Sequence, residues 1–216
     1  MFIRKVAFVI DGWFMYKRIQ SLKLFYYNGE NIRNYCKKLL RMNDYLYRIY
    51  YYDTLPLNKK GEHPLTKKSI DFSKTEQAKK QTELLESIKK TPLFALRLGT
   101  TYWENNAWTI RYDRLKELLK GKITVNELEE RDIKPLIKQK SVDLKIGLDI
   151  ASLANKRIVD VIIVITGDSD IVPALKHARK EGIQIGLDTL GNKVRPELEE
   201  HIDFKVTAIH RYNNKQ

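Results

Sequence analysis

Cysteine is nearly absent from this sequence. The single Cys36 among 216 residues excludes an internal disulfide and any metal site built from several cysteines. A chain that uses so little cysteine is typical of a reducing compartment, so we expect a cytoplasmic protein.

Long apolar runs, internal repeats and low-complexity tracts are missing as well. The N-terminal stretch MFIRKVAFVIDG is interrupted by Asp11 and has no small-residue cleavage site, so it does not resemble a secretory signal. No segment approaches the length that crossing a bilayer requires, and we expect no membrane partner.

Acidic residues are in deficit. The chain has 40 Lys and Arg against 27 Asp and Glu, a formal net charge of +13. Such an excess favours an anionic partner, most simply nucleic acid, although a basic surface that serves only solubility has the same composition. A hydrophobic content of 43% supports a folded core.

The apolar runs that are present are short, rich in β-branched residues and separated by helical periodicity. This alternation predicts an α/β fold with a mostly parallel sheet covered on both faces. The predicted strands are 3–10, 47–52, 94–103, 159–166, 183–187 and 204–209. The predicted helices are 30–43, 73–90, 113–120, 142–155 and 171–181, the last ended by Gly182.

The predicted domain organisation is simple. We expect one domain over residues 1–212 and a frayed tail at 213–216. The segment 54–72, TLPLNKKGEHPLTKKSIDF, is predicted to be a basic inserted loop at the end of a strand, and Asn105-Asn106 a possible hairpin turn. A homo-oligomer is possible, but the sequence does not indicate one.

Two carboxylates stand at the tip of an apolar strand in VIIVITGDSDIVPALKHARKEG. In open parallel sheets, ligands bind at the carboxyl ends of strands, where Asp168 and Asp170 are predicted to lie. One aspartate is explained as the cap of the following helix. Two carboxylates this close repel each other unless a cation or a basic group lies between them.

Two further segments bring acids toward the same edge. FVIDG places Asp11 at the end of the first strand, and in KQKSVDLKIGLDIA a helix opens near Asp143, which is either a capping acid or a fourth carboxylate of the site. Oxygen ligands without His or Cys suit Mg²⁺ or Mn²⁺. Such a centre suits metal-assisted phosphodiester hydrolysis, with the basic excess holding the polyanion.

These segments also resemble a known family. FVIDG, KSVDLKIGLDIASLA and VIIVITGDSDIVPALKHARKEGIQI look like the NYN domain, a branch of the PIN-like ribonuclease superfamily. The likeness is dense over 141–187, clear at 6–12 and thin from 54 to 130. It implies a PIN-like three-layer α/β/α sandwich and a metal-dependent ribonuclease acting on RNA, with single strands preferred. The metal-binding and catalytic acids would be Asp11, Asp143, Asp168 and Asp170.

One departure from the family keeps a second function open. Many members carry Asn shortly after the first Asp-Gly, where this chain has DGWFMYK. The alternative is therefore a catalytically weak or inactive RNA-binding or adaptor protein of the same fold. A phosphatase of the haloacid dehalogenase type is disfavoured, because it needs a second Asp two residues after its nucleophile and Trp13 stands there.

Other residues are secondary candidates. Asp149 is a possible outer acid of the site, with a helix-packing or solvated role favoured, and Asp53 and Asp188 are expected to be turn formers. Several lysines are candidates for binding the nucleic-acid backbone, with plain solvation as the competing interpretation. They are Lys59, Lys60, Lys67, Lys68, Lys138, Lys140 and Lys145.

Overall fold

The computed structural model describes residues 3–213, so residues 214–216 of the predicted frayed tail lie outside the described part. The strands are β1 (Arg4–Asp11), β2 (Asp44–Thr54), β3 (Lys60–Glu62), β4 (Ser69–Asp71), β5 (Phe94–Ile110), β6 (Ile133–Lys140), β7 (Val161–Ile165), β8 (Gln184–Asp188) and β9 (Phe204–Lys205). The α-helices are α1 (Gly12–Leu22), α2 (Gly29–Leu39), α3 (Glu76–Lys90), α4 (Tyr112–Leu119), α5 (Val142–Asn155), α6 (Val172–Lys180), α7 (Pro196–Glu200) and α8 (His210–Asn213). None of these helices combines the length and apolar character that a membrane span requires.

The described residues form two compact units, and the first holds residues 3–54, 83–99 and 141–213. Its strands are all parallel, in the order β5, β2, β1, β7, β8, β9, with residues 94–99 of β5 taking part. Alternate residues of β1 enter two cores: Phe8 packs with residues of α1 and α2, whereas Val9 packs with residues of α5 and α6. Helices therefore cover both faces of the sheet, which confirms the predicted α/β fold with its α/β/α layers.

The second unit holds residues 55–82 and 100–140. Here β3 and β4 form a small antiparallel hairpin, and the rest of β5 pairs antiparallel with β6. The buried core of this unit is Leu57, Phe72 and Trp103. The segment 54–72 is thus not the bare loop that was predicted, because Phe72 and Trp103 give its short strands something to pack against. The prediction of a single domain over 1–212 stays a prediction.

Most of the predicted elements of the first unit are present. Helix α5 has the predicted bounds, and Gly182 follows α6 with a left-handed φ of +87°. The hairpin through Asn105-Asn106 is wrong. Both residues have φ near +50°, but they form a bulge within β5, after which the strand resumes its pairing with β6. Strand β6 and helix α1 were not predicted.

Candidate metal centre and its surroundings

The four predicted acids all lie in the first unit, at or next to the carboxyl edge of its sheet. Strands β1 and β7 are neighbours with Ile10 opposite Ile165, so Asp11 and the segment after β7 begin side by side. That segment carries Asp168, which is half-buried, and Asp170, which is exposed. Asp143 lies in the first turn of α5, whose buried side packs against the same sheet.

Hydrogen bonds fix the two inner acids. Oδ1 of Asp11 accepts the Phe14 amide at 3.0 Å and so caps α1, and Oδ1 of Asp168 accepts the Asp170 amide at 3.0 Å. The buried Thr166 hydroxyl joins the two segments: its Oγ1 accepts the Asp168 amide at 3.1 Å and donates to Oδ2 of Asp11 at 3.5 Å. Sequence reasoning missed Thr166, which stood out only as the last residue of an apolar strand.

Neighbouring carboxylates raise the pKa values of two of the four acids, Asp11 and Asp143. Burial raises the pKa of Asp11, and the charges of Asp143 and Asp168 raise it further against the lowering effect of the Phe14 amide. Burial also raises the pKa of Asp143, as do the charges of Asp168 and Asp170. The structure therefore places Asp143 and Asp168 near enough to Asp11, and Asp168 and Asp170 near enough to Asp143, to oppose the ionisation of these two carboxyls.

The donor set fits a hard divalent cation in its chemistry. It consists of carboxylate oxygens alone, the ligands that Mg²⁺ and Mn²⁺ prefer, and a cation among them would offset their mutual repulsion. Within residues 3–213, no group of three or more His, Cys, Asp or Glu side chains is arranged to hold a metal ion as it stands. The assignment of Asp11, Asp143, Asp168 and Asp170 as metal ligands stays a prediction.

Two glycines allow the acidic segments to approach. A Cβ on Gly12 would lie 2.6 Å from both the Tyr51 ring and the Tyr52 carbonyl oxygen, and one on Gly167 would lie 2.6 Å from the Phe14 ring. At both positions the Cβ of any other residue would lie too close to its neighbours. Glycine is therefore required by packing at positions 12 and 167, next to Asp11 and Asp168.

The secondary acids have structural partners. Oδ2 of Asp149 accepts the Tyr52 hydroxyl and Nε of Arg97, each at 2.8 Å, so this residue packs α5 onto the sheet, the role the sequence favoured. Asp53 accepts the Thr54 amide at 2.7 Å. Asp188 accepts the Leu190 amide at 2.8 Å, as a turn former does, but it also accepts the Tyr35 hydroxyl in a fully buried setting that was not predicted.

Six of the seven candidate lysines belong to the second unit. Lys59, Lys60, Lys67 and Lys68 are exposed in and around the β3–β4 hairpin. Lys67 and Lys68 form ion pairs with Glu62 at 3.8 Å and Glu130 at 2.6 Å.

The remaining three also have partners. Lys138 pairs with Glu104 at 2.6 Å, and the Lys140 ammonium lies 4.6 Å from the Tyr102 ring centroid. Lys145, in the first unit, donates to the Leu98 carbonyl. The exposed ion pairs of Lys67, Lys68 and Lys138 are weak, so these ammonium groups are able to exchange partners.

A basic residue that the sequence did not single out reaches the acidic loop. Nη1 of Arg195, the residue before α7, donates to Oγ of Ser169 at 3.3 Å, between the two acids of GDSD. No spacing rule connects VRPELEE to GDSD, so only the fold reveals this contact. A cavity of about 580 Å³ lies elsewhere, at the amino end of β8, and is lined by Lys176, Arg179 and Lys180 among others.

Comparison with known protein families finds a match over most of the chain. The sequence model of the NYN domain matches residues 7–193, which include all four acids. No curated protein matches the chain significantly.

Proposed function

The chain belongs to the NYN domain family and has its nuclease-like fold, and from that premise we propose that it is a metal-dependent ribonuclease that hydrolyses RNA phosphodiester bonds. The observation that carries the proposal is the grouping of four carboxylates at one sheet edge in a chain of net charge +13. A stably folded protein keeps such a repulsive cluster at a cost, which a bound cation offsets.

In the proposed reaction, different residues would bind the metal, orient its ligands and bind the phosphate. Asp11, Asp143, Asp168 and Asp170 would hold Mg²⁺ or Mn²⁺. The Phe14 amide, the Thr166 hydroxyl and the Asp170 amide keep the carboxylates of Asp11 and Asp168 oriented before the substrate arrives. When bound, the cation supplies a water of lowered pKa and a positive charge beside the phosphoryl oxygens. Arg195 lies where its guanidinium can bind a phosphate near Ser169.

A specific observation favours a second candidate. In the segment where many relatives carry Asn, the Phe14 ring packs under Gly167 and offers no polar atom to a substrate. The second candidate is a protein of the same fold that binds RNA without cleaving it. Cleavage separates the two, because only the ribonuclease requires a divalent cation to turn RNA into shorter products.

The test is cleavage of a labelled single-stranded RNA with Mg²⁺ or Mn²⁺, with EDTA, and with the Asp168→Asn variant. We expect EDTA and the variant each to abolish cleavage, since the variant removes one charge and keeps the shape of the loop. Asp160→Asn is the matched control. Its carboxylate accepts the Lys5 amide at the amino edge of the sheet, so it removes the same charge away from the site.

A readout independent of catalysis accompanies the test. In EDTA, Asp168→Asn should unfold at a higher temperature than the wild type, because the repulsion felt by Asp11 and Asp143 is relieved. Mg²⁺ or Mn²⁺ should raise the midpoint of the wild type more than that of the variant. Undiminished cleavage by Asp168→Asn would refute the assignment, and RNA binding without any cleavage by the wild type would favour the second candidate.

A further inference from the structure

A tryptophan close in sequence to the acidic edge is partly exposed to solvent. Trp13 stands in the first turn of α1, two residues after Asp11, and its side chain is 44% exposed. The buried side of the same helix carries Met15 and Ile19, both fully buried. Trp103, in contrast, is 6% exposed. Trp13 is therefore not a core residue of this helix, and part of its large apolar ring is left open to solvent.

The ring is part of a built arrangement that we call the Trp13 platform, formed by Trp13, Tyr16 and Lys17. Tyr16 stacks beside Trp13 with ring centroids 5.9 Å apart and planes inclined by 24°, and the Lys17 ammonium lies 4.5 Å from the Trp13 ring centroid. Tyr16 also contacts the buried Tyr27 edge to face at 5.4 Å. The Lys17 ammonium lies over the Trp13 ring rather than beside it, so a base that stacks on this face takes its place and leaves the Lys17 charge for the phosphate.

The platform is connected to the acidic edge through packed groups. The Tyr27 hydroxyl donates to the Gly12 carbonyl at 3.3 Å and shares a hydrogen bond with Tyr51, whose ring lies against Gly12. Successive Cα atoms are about 3.8 Å apart, so the Cα atoms of Trp13 and Asp11 are at most about 7.6 Å apart. A base on the platform thus belongs to a nucleotide close to the phosphate that the acids would address.

We propose that the Trp13 platform is a base-stacking subsite that selects single-stranded nucleic acid, with one unstacked base on Trp13 and a neighbouring phosphate on Lys17. This inference rests on the proposed nuclease function, because it names the class of substrate that the acidic site would receive. A base within a duplex keeps its faces covered by its neighbours, so the platform discriminates against double strands.

Binding measured in EDTA tests the platform without any cleavage. The probe is a short single-stranded oligouridylate, and the readouts are its affinity and the quenching of tryptophan fluorescence. Stacking on the exposed Trp13 should quench the emission of the wild type. Trp13→Ala should weaken binding by about 5- to 150-fold, the range that loss of one stacked base gives. Trp13→Phe should retain most of the affinity and lose the quenching, because Trp103 and Trp108 pack in the core of the second unit.

The chain offers a matched control. Tyr112 opens α4 in the second unit, is 70% exposed and has the Lys116 ammonium 4.4 Å from its ring centroid. It reproduces the aromatic–lysine pair of Trp13 and Lys17 in a unit without the acidic cluster. Tyr112→Ala should leave the oligouridylate affinity and the quenching unchanged.

An oligouridylate with abasic positions completes the test. The wild type should bind it about as weakly as Trp13→Ala binds the intact strand, and Trp13→Ala should not distinguish the two strands. Duplex RNA should bind wild type and Trp13→Ala alike. Equal affinity of the wild type and Trp13→Ala for the intact strand would overturn the platform while leaving the cleavage assay unaffected. An RNA that binds with quenching but is never cut would support the platform and refute the nuclease.

Discussion

The buried carboxyl of Asp188 makes the stability of this protein depend on pH. It ends β8 with no exposed surface. Its Oδ2 accepts the Tyr35 hydroxyl at 2.6 Å and its Oδ1 accepts the Leu190 amide at 2.8 Å. Burial raises the pKa of this carboxyl from 3.8 to about 6, although its hydrogen bonds lower it.

The size and sign of the effect follow from that difference. The interval between 3.8 and about 6, at about 1.4 kcal/mol for each pKa unit, corresponds to about 3 kcal/mol. Because the folded state keeps a proton that the unfolded chain releases, the proton stabilises the fold. This contribution is complete below about pH 4 and is lost as the pH rises through about 6.

The variant Asp188→Asn isolates this group from the other acids. We expect the difference in unfolding free energy, variant minus wild type, to increase by about 3 kcal/mol between about pH 4 and about pH 7. Replacement of the protonated carboxyl by an amide beside the Tyr35 hydroxyl adds only an offset that does not vary with pH. Urea unfolding in EDTA, followed by circular dichroism at each pH, measures the difference.

Tyr35→Phe supplies a second check, because it should raise the pKa of Asp188 further, whereas Asp188→Asn removes the titrating group. Tyr35→Phe removes a hydrogen bond that lowers the pKa of Asp188, so the pH range over which stability is lost should move upward. A gap between Asp188→Asn and the wild type that stays constant over this pH range would refute the reasoning for Asp188.

Two further predictions concern packing and charge. Gly12→Ala should destabilise the fold by about 1–3 kcal/mol, because its Cβ would overlap the Tyr51 ring, whereas Gly147→Ala, whose Cβ meets nothing closer than 3.9 Å within helix α5, should stabilise it by about 0.5–1 kcal/mol. Thermal unfolding compares the two, and equal effects would contradict the packing argument. Replacing four lysines together with Ala should flatten the salt dependence of RNA affinity by about 0.7 in log–log slope for each phosphate that the protein no longer neutralises. The lysines are Lys59, Lys60, Lys67 and Lys68, and the charge-matched control replaces Lys79, Lys80, Lys89 and Lys90 of α3. An unchanged slope would place the polyanion elsewhere, for example at Lys138, Lys140 and Lys145.

The sequence predicted the first unit well because its elements have unambiguous patterns. Strands such as β7 are continuous apolar runs that end in turn residues, and α5 combines helical periodicity with an acid in its first turn. Strand β6 was missed because IKPLIKQK contains Pro135 and a lysine-rich end, which is typical of an edge strand that has little to bury. Asn105-Asn106 has the composition of a hairpin turn, and only the pairing with β6 shows that the strand continues.

The residues of the site also differ in how far the sequence could predict them. Asp11, Asp168 and Asp170 follow the ends of β1 and β7, where the sequence predicted them, since the sheet topology alone brings strand ends together. Their role as metal ligands, together with that of Asp143 in the first turn of α5, stays a prediction. Residues that act through a contact could not be found. Thr166 and Arg195 approach the acids by way of hydrogen bonds that no sequence spacing encodes. The buried environment of Asp188 likewise depends on Tyr35, 153 residues away along the chain.

For Asp11, which caps α1, the capping role is compatible with the proposed metal-binding role. Asp168 does not cap α6, whose N-cap is Ile171 without a side-chain cap bond. A carboxylate has two oxygens, and in both Asp11 and Asp168 the Oδ1 atom accepts a backbone amide of its own segment. The Oδ2 atom of Asp11 accepts the Thr166 hydroxyl at the long distance of 3.5 Å. The backbone bond therefore orients the side chain through one oxygen only. Asparagine caps a helix about as well as aspartate does, so Asn variants keep this orientation and remove the charge, whereas Ala variants remove both. Loss of metal binding in an Asn variant can then be assigned to the charge itself.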